Sequence, residues 1–307
     1  MTGQAIDTRL VRDARPATIY ELANRWRMLD ITVRLPGMAA FSAAHDLGNK
    51  LRGALGSVLL KSASKAVAHR LPCNWGYTST AEVFFGRRPM VCLGGHSSEI
   101  SKPFVFAWKS DRSGALVIRL RIFGFACERA AAVADALIVA IKEKVAWREM
   151  AKEIASRAPD AIEPTVDIPE KRIGLTPIPS IPRQAELCFQ TPVDADRGDA
   201  LANPRILLHR IVRRTALLAP WHGLSIEKCY EDIVAMAELV PIDGCEVTSV
   251  CAPDFGGHRH GNALSPPLIV RLSDFDSSIW QGLRIGEVAH IGRGASLGLG
   301  RYRIGYP

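Results

Sequence analysis

The residues best equipped for chemistry in this 307-residue chain lie near its C-terminal end. Ile291-Gly292-Arg293-Gly294-Ala295-Ser296-Leu297-Gly298-Leu299-Gly300-Arg301-Tyr302-Arg303 places four glycines two and four residues apart. No regular helix tolerates that density of glycine. Without a Cβ, each glycine lets backbone N–H groups come close to a phosphate. Arg293, Arg301 and Arg303 bracket the run with positive charge. A P-loop would need Gly-Lys-Ser/Thr leading into a helix, and neither feature is present. The candidate phosphate contacts are therefore Gly292, Arg293, Gly294, Ser296, Gly298, Gly300, Arg301 and Arg303. A nucleotide-binding loop or a plain flexible tail is the competing reading of the same residues.

Eight histidines are available as acid–base groups, because imidazole titrates nearest neutrality. His45 lies between an expected strand and a helix carrying Lys50 and Arg52, so a base and cations can converge on one phosphate; a His bonding its own backbone at the helix start is the plainer alternative. Arg25, Arg27 and Arg34 flank or lie in the same strand and suit a mechanism that stabilises charge without a true base. His209 has Arg205 and Arg213 four residues to either side, a stripe fit for RNA or for a solvated helix face. His258-Arg259-His260 suggests no third metal ligand and reads as a loop. His69, His96 and His222 carry no motif. No carboxylate cluster has metal spacing, so neither a metal nor another cofactor is expected. Trp26, Tyr77, Trp108 and Trp221 can stack on bases, but core packing is the more ordinary use of each.

The charge balance agrees with an anionic partner. The net charge is +8, and 29 of 39 cations are Arg, whose planar fork grips phosphate and stacks on bases. A compositional drift in a GC-rich genome would give the same bias. The seven cysteines are odd in number and form no C-x-x-C pair, against a disulfide scaffold or a zinc ribbon and in favour of reduced thiols. No signal peptide and no membrane-length apolar run is visible, so a soluble, cytoplasmic protein with no membrane partner is expected.

The elements that must position these residues follow from periodicity. Residues 27–35 alternate as a strand and stop at Pro36-Gly37. A helix over 45–68 is expected from Leu47, Leu51, Leu55, Val58 and Leu59, with Gly48, Gly53 and Gly56 weakening it. Strands near 103–109 and 115–123 share the turn Asp111-Arg112-Ser113-Gly114. An Ala-rich helix spans 128–157. The proline-rich stretch 160–183 reads as a linker holding one edge strand. The second half repeats the order with a strand at 185–190, a helix from Asn203-Pro204 to about 219, and strands near 244–251, 266–272 and 299–304. That order predicts an α+β chain of two tandem ferredoxin-like (RRM-like) domains, over 1–158 and 185–307, joined by a linker over 159–184.

The terminal run, with His290 ahead of it and Gly298-Leu299-Gly300-Arg301-Tyr302 inside it, resembles the glycine-rich loop of CRISPR RAMP-superfamily proteins. It most resembles the endoribonucleases that process CRISPR precursor RNA. Leu51-Arg52-Gly53-Ala54-Leu55-Gly56, Phe123-Gly124, Phe189-Gln190-Thr191-Pro192 and Ile211-Val212-Arg213-Arg214 are similar to other family segments, in the family's order. The resemblance covers about residues 45–305. The chain departs from some relatives: the first domain has only Lys171-Arg172-Ile173-Gly174 where a glycine loop would stand, and a Cys-rich insert is reduced to Cys73 and Cys92. The resemblance implies metal-independent cleavage of repeat RNA by the ribose 2′-OH, with the product retained as crRNA and with other CRISPR effector subunits as partners. It implies His45 as the base, where several relatives place theirs; Arg34 and Arg25, read from their place near the first strand, complete the candidate catalytic set. Lys50, Arg52, Arg205, His209, Arg213 and the terminal loop would hold RNA. A non-catalytic RAMP-type subunit that only binds RNA, or an unrelated basic nucleic-acid binder, are the alternatives.

Overall fold

The computed structural model describes residues 6–44, 46–69, 71, 78–157, 159, 161–169, 173–175, 180–194, 203–251, 254–255, 258–259 and 263–306. In chain order the main elements are α1 (Ile19–Arg25), β1 (Met28–Leu35), α2 (Leu47–Lys61), β2 (Met90–Leu93), β3 (His96–Glu99), β4 (Phe104–Ser110), β5 (Leu116–Phe123), α3 (Ala130–Glu143), β6 (Thr165–Asp167), β7 (Gln184–Phe189), α4 (Arg205–Leu218), α5 (Tyr230–Leu239), β8 (Ile242–Cys251), β9 (Ala263–Ser273), α6 (Ser277–Ala289) and β10 (Tyr302–Gly305). The chain is a mixed α+β protein with several antiparallel sheets. It divides into two compact units that interleave in sequence. One holds Met1–Thr8, Met28–Arg87 and Lys102–Ile173; the other holds Arg9–Arg27, Arg88–Ser101 and Gly174–Pro307.

The first unit is built on a sheet in the order β4-β5-β1-β6. β1 pairs antiparallel with β5 from Met28↔Phe123 to Leu35↔Leu116, and with β6 on its other edge through Thr32↔Asp167. Alternation along β1 buries Ile31, Val33 and Leu35 and leaves Asp30, Thr32 and Arg34 on the other face. There Asp30 takes a two-point grip from Arg121, Nε to Oδ1 at 2.7 Å and Nη2 to Oδ2 at 2.8 Å. The core side receives α3, whose Val133, Leu137 and Ile141 are buried at the expected four-residue steps. The β4–β5 turn is held by Asp111, whose Oδ1 accepts from the Ser113 amide, the Ser113 hydroxyl and the Ala115 amide at 2.8–3.0 Å.

Two expected helices are shorter than their periodicity suggests. The 45–68 helix ends at Lys61, and a separate turn, Lys65–Ala68, begins under its own cap, Ser64 Oγ accepting from the Val67 amide at 3.3 Å. The 128–157 helix breaks after Glu143 and resumes at Trp147–Glu153. Trp147 turns back to give its indole N–H to the Ile141 carbonyl at 2.7 Å, satisfying a group at the helix end. The edge strand expected inside the proline-rich stretch is β6.

The second unit has a sheet in the order β8-β9-β7-β10, with Val193–Asp194 as an extra pairing on β9. β7 runs antiparallel to β9 from Phe189↔Leu268 to Gln184↔Ser273, and to β10 from Phe189↔Tyr302 to Glu186↔Gly305. α4 starts where Asn203 Oδ1 accepts from the Arg205 amide at 3.1 Å, and it ends ahead of Pro220. Apart from α5, added between α4 and β8, antiparallel strands and the helices α4 and α6 follow a strand–helix–strand–strand–helix–strand order in this unit, as α2 and α3 do with the strands of the first.

α6 escapes the sequence reading because Gly282 and Gly286 lower its propensity. Both glycines make room for neighbours. A Cβ on Gly286 would sit 2.3 Å from the Tyr302 hydroxyl, which donates to the Leu283 carbonyl at 2.5 Å. Burial pushes the Tyr302 phenol well above its ordinary range. α1 also belongs here: its capping box pairs Thr18 with Glu21, and Ile19 lies within 3.3 Å of the Cβ position of Gly282. Trp26 is buried and stacks on His222 with centroids 4.3 Å apart; Trp221 is buried and donates to the Ser101 carbonyl at 2.8 Å. Both indoles therefore serve the core. In the first unit Trp108 donates to the Ser42 carbonyl at 3.2 Å. Tyr77 lies outside the described residues.

Candidate nucleic-acid interface

The glycine run folds as a closed loop between α6 and β10. Gly292, Gly294, Gly298 and Gly300 all have positive φ, at +79°, +86°, +93° and +64°. That is the left-handed region other residues avoid. Gly300 is the most constrained, since a Cβ there would lie 2.1 Å from the Ile291 carbonyl oxygen. The loop is pinned across its neck by the Ile291 amide on the Gly300 carbonyl at 3.1 Å, and the Gly300 amide reaches the Pro192 carbonyl at 2.8 Å. Thr191 staples it from outside, its hydroxyl donating to the Gly298 carbonyl at 2.9 Å and accepting from the Arg301 amide at 2.9 Å.

The amides of Ile291, Ala295, Leu297, Gly298, Leu299 and Gly300 all bond to backbone carbonyls. The glycines thus serve first to fold the loop on itself. Among the described residues, the Gly292, Arg293, Gly294 and Ser296 amides make no such bond, and Ser296 is half-buried. Arg293 and Arg303 are exposed, and Arg301 is half-buried. The loop therefore offers two outward guanidinium groups and one edge of backbone donors.

α4 carries the expected stripe, but its three members differ in use. Arg205 sends Nη1 to the Val240 carbonyl at 2.9 Å and also contacts the Glu238 carbonyl, closing the C-terminal end of α5. A cation at that end meets unpaired carbonyls and the negative pole of the helix. His209 Nε2 lies 2.8 Å from Glu238 Oε1. Arg213 is exposed and donates from Nη2 to Ser98 Oγ at 3.1 Å. His209 and Arg213 both line a pocket of about 450 Å³ that sequence reasoning missed. Its other walls are the β2–β3 hairpin and the start of α5. The hairpin signal was legible as Gly94-Gly95, both at positive φ, but nothing in the sequence tied it to α4. Burial pushes the Tyr230 hydroxyl in this pocket above its ordinary range, against the opposing effect of the Arg213 charge.

The residues assigned to catalysis fall as follows. His45 lies outside the described residues. Arg34 sits on the open face of β1 and is bound to Asp111 and to the Ser113 hydroxyl. The Asp111 carboxyl is held below the usual range, first by the Ser113 hydroxyl, then by the Ala115 amide. Lys50 lies 3.2 Å from Asp46 Oδ2 and 3.5 Å from Glu153 Oε1. Arg52 is half-buried on α2. Arg34, Lys50 and Arg52 belong to the first unit; Arg25, exposed at the end of α1, belongs to the second, with Arg205, His209, Arg213 and the glycine loop.

His222 is buried beneath Trp26, and burial pulls its pKa down to about 3. Among the described residues no group of three or more His, Cys, Asp or Glu is disposed to hold a metal ion, and no helix is long and apolar enough to cross a membrane. Cys92, Cys127, Cys188, Cys229 and Cys245 are free thiols.

No family model matches the sequence, and no curated protein matches it. Among solved structures the chain is similar to Thermus thermophilus Cas6, with 14% identity and a TM-score of 0.48 over 91% of this chain and 98% of that one.

Proposed function

We propose that this chain is an endoribonuclease that cleaves CRISPR precursor RNA within its repeats, and that each unit is a ferredoxin-like domain. One observation carries the reading. Each unit has a strand–helix–strand–strand–helix–strand frame with antiparallel pairing and the first strand inside the sheet; the second unit adds α5 after α4 and a closed glycine loop bearing Arg293 before its last strand. A basic, Arg-rich chain with that loop suits an RNA backbone. The resemblance of the loop to that of the CRISPR-processing endoribonucleases supplies the substrate class.

The reaction needs no metal. The ribose 2′-OH loses its proton to a base and attacks the adjacent phosphorus; the P–O5′ bond breaks, and the 5′ oxygen takes up a proton as it leaves. His45 is the base, and Arg34 or Arg25 offsets the charge of the phosphorane. Lys50, Arg52, the α4 stripe and the glycine loop hold the strand. The cleaved product stays bound as crRNA, which makes the protein a cytoplasmic effector subunit in contact with others.

A second reading, a subunit that binds RNA without cutting it, draws on the engagement of Arg34 with Asp111 and of Lys50 with Asp46 and Glu153. Incubating the purified protein with the repeat RNA of its own locus in EDTA separates the two. A single cut leaving a 2′,3′-cyclic or 3′ phosphate and a 5′-OH supports the nuclease. Tight binding with intact RNA supports the binding subunit, and a 5′-phosphate product rejects the mechanism.

A further inference from the structure

The pocket on the second unit combines an apolar wall, an aromatic ring and a cation in about 450 Å³, within the usual range of small-ligand sites. Leu93 and Val234 supply the apolar wall. Gly94, at φ +56°, turns the hairpin beside the Tyr230 ring, where a Cβ would stand at ordinary contact distance, 3.4 Å. The Arg213 guanidinium is held by Ser98, which orients its planar fork, and His96 lines the pocket from the same hairpin.

We propose that this pocket binds a nucleoside monophosphate unit, its base against Tyr230 and its phosphate at Arg213, and that the unit is one unpaired nucleotide of the bound RNA strand. The assignment to a strand rests on the RNA-processing reading above; the nucleotide chemistry does not. A ring beside an apolar wall takes any base face. A single outward guanidinium suits a phosphodiester. Glu231, on the α5 side of the pocket, repels a phosphate there and accepts from a ribose hydroxyl or a base amino group, which sets the phosphate toward the hairpin. The other imidazole, His209, is engaged by Glu238, leaving Arg213 and His96 as the groups that face an anion.

The test uses the full chain and repeat RNA carrying 5-iodouridine at successive unpaired positions, which photocrosslinks to a stacked aromatic residue. In parallel, AMP and UMP are titrated by calorimetry. A crosslink to Tyr230 at one position is expected. Tyr230→Leu should weaken RNA binding roughly five- to a hundredfold, the effect of one lost stacking contact. Arg213→Gln, at an exposed position, should weaken it and lower the salt slope by about one. Saturable binding of a free mononucleotide, lost in Tyr230→Leu with RNA crosslinked elsewhere, would keep the nucleotide pocket but make its ligand free. A wild-type protein that binds mononucleotide but no RNA rejects the RNA-processing reading and leaves the pocket standing. RNA bound with no crosslink to Tyr230, no mononucleotide binding and unchanged affinity in both variants overturns the proposal.

Discussion

The Thr191 hydroxyl bridges the Gly298 carbonyl and the Arg301 amide, both at 2.9 Å, so one side chain on the exit from β7 holds both ends of the glycine loop's second half. Thr191→Val keeps the shape and removes both bonds. Each neutral hydrogen bond contributes about 0.5–1.5 kcal/mol, so a loss of about 1–3 kcal/mol is expected. Gly300→Ala should cost more, about 2–4 kcal/mol, because its methyl meets the Ile291 carbonyl at 2.1 Å in a backbone region an L-residue avoids. Urea melts check both. If Gly300→Ala unfolds at the wild-type midpoint, the loop is not closed as described.

Two arginines that look alike in sequence should separate by experiment. Arg293 is exposed on the glycine loop, whereas Arg205 closes the end of α5 through the Val240 carbonyl. Arg293→Ala should leave the melting curve unchanged and lower the slope of log affinity against log salt by about one. Arg205→Ala should lower stability by about 1 kcal/mol. The reverse pattern would exchange their roles.

Much of the scaffold was legible because its signals are local. The β4–β5 turn follows from Asp111 and Gly114, the start of α4 from Asn203-Pro204, and the core face of α3 from Val133, Leu137 and Ile141. What escaped depends on distant partners. The 88–101 hairpin joins the second unit, although its sequence neighbours belong to the first. α6 hides behind Gly282 and Gly286, which only the packing of Ile19, Ile211 and Tyr302 explains. α1 was missed, although the Thr18–Glu21 capping box that opens it is a local signal. The pocket draws Arg213, Tyr230 and Ser98 from three segments, so no spacing along the chain announces it. Nor does sequence reveal that Arg34 and Lys50 meet Asp111, Asp46 and Glu153.

Buried His222 sets a pH dependence. Its folded pKa, about 3, lies below the ordinary 6.5, so between those values the unfolded chain binds a proton that the folded chain does not. The stability this contributes is fully present above about pH 6.5 and falls as pH drops toward 3, by at most about 1.4 kcal/mol per pH unit. His222→Phe keeps an aromatic ring on Trp26 and should flatten that slope. Equal slopes for both proteins between pH 6.5 and 4 would contradict the assignment.

The choice of base is tested by His45→Ala. The single-turnover cleavage rate should fall by a factor on the order of 10² to 10⁴, while RNA affinity holds within a few-fold. If His45→Ala cuts at the wild-type rate and Arg34→Ala or Arg25→Ala is dead, charge stabilisation by arginine carries the reaction without that base.

The central claim, that the RNA's own ribose is the nucleophile, is tested most directly by one atom of substrate. Repeat RNA with a single 2′-deoxyribose at the scissile nucleotide is mixed with the wild-type protein in EDTA, and cleavage and affinity are measured together. The account predicts unchanged affinity and no cut at that position, with the all-ribose RNA cleaved once beside it. A deoxy substrate cut at the same position would show that the nucleophile comes from elsewhere and would contradict the account.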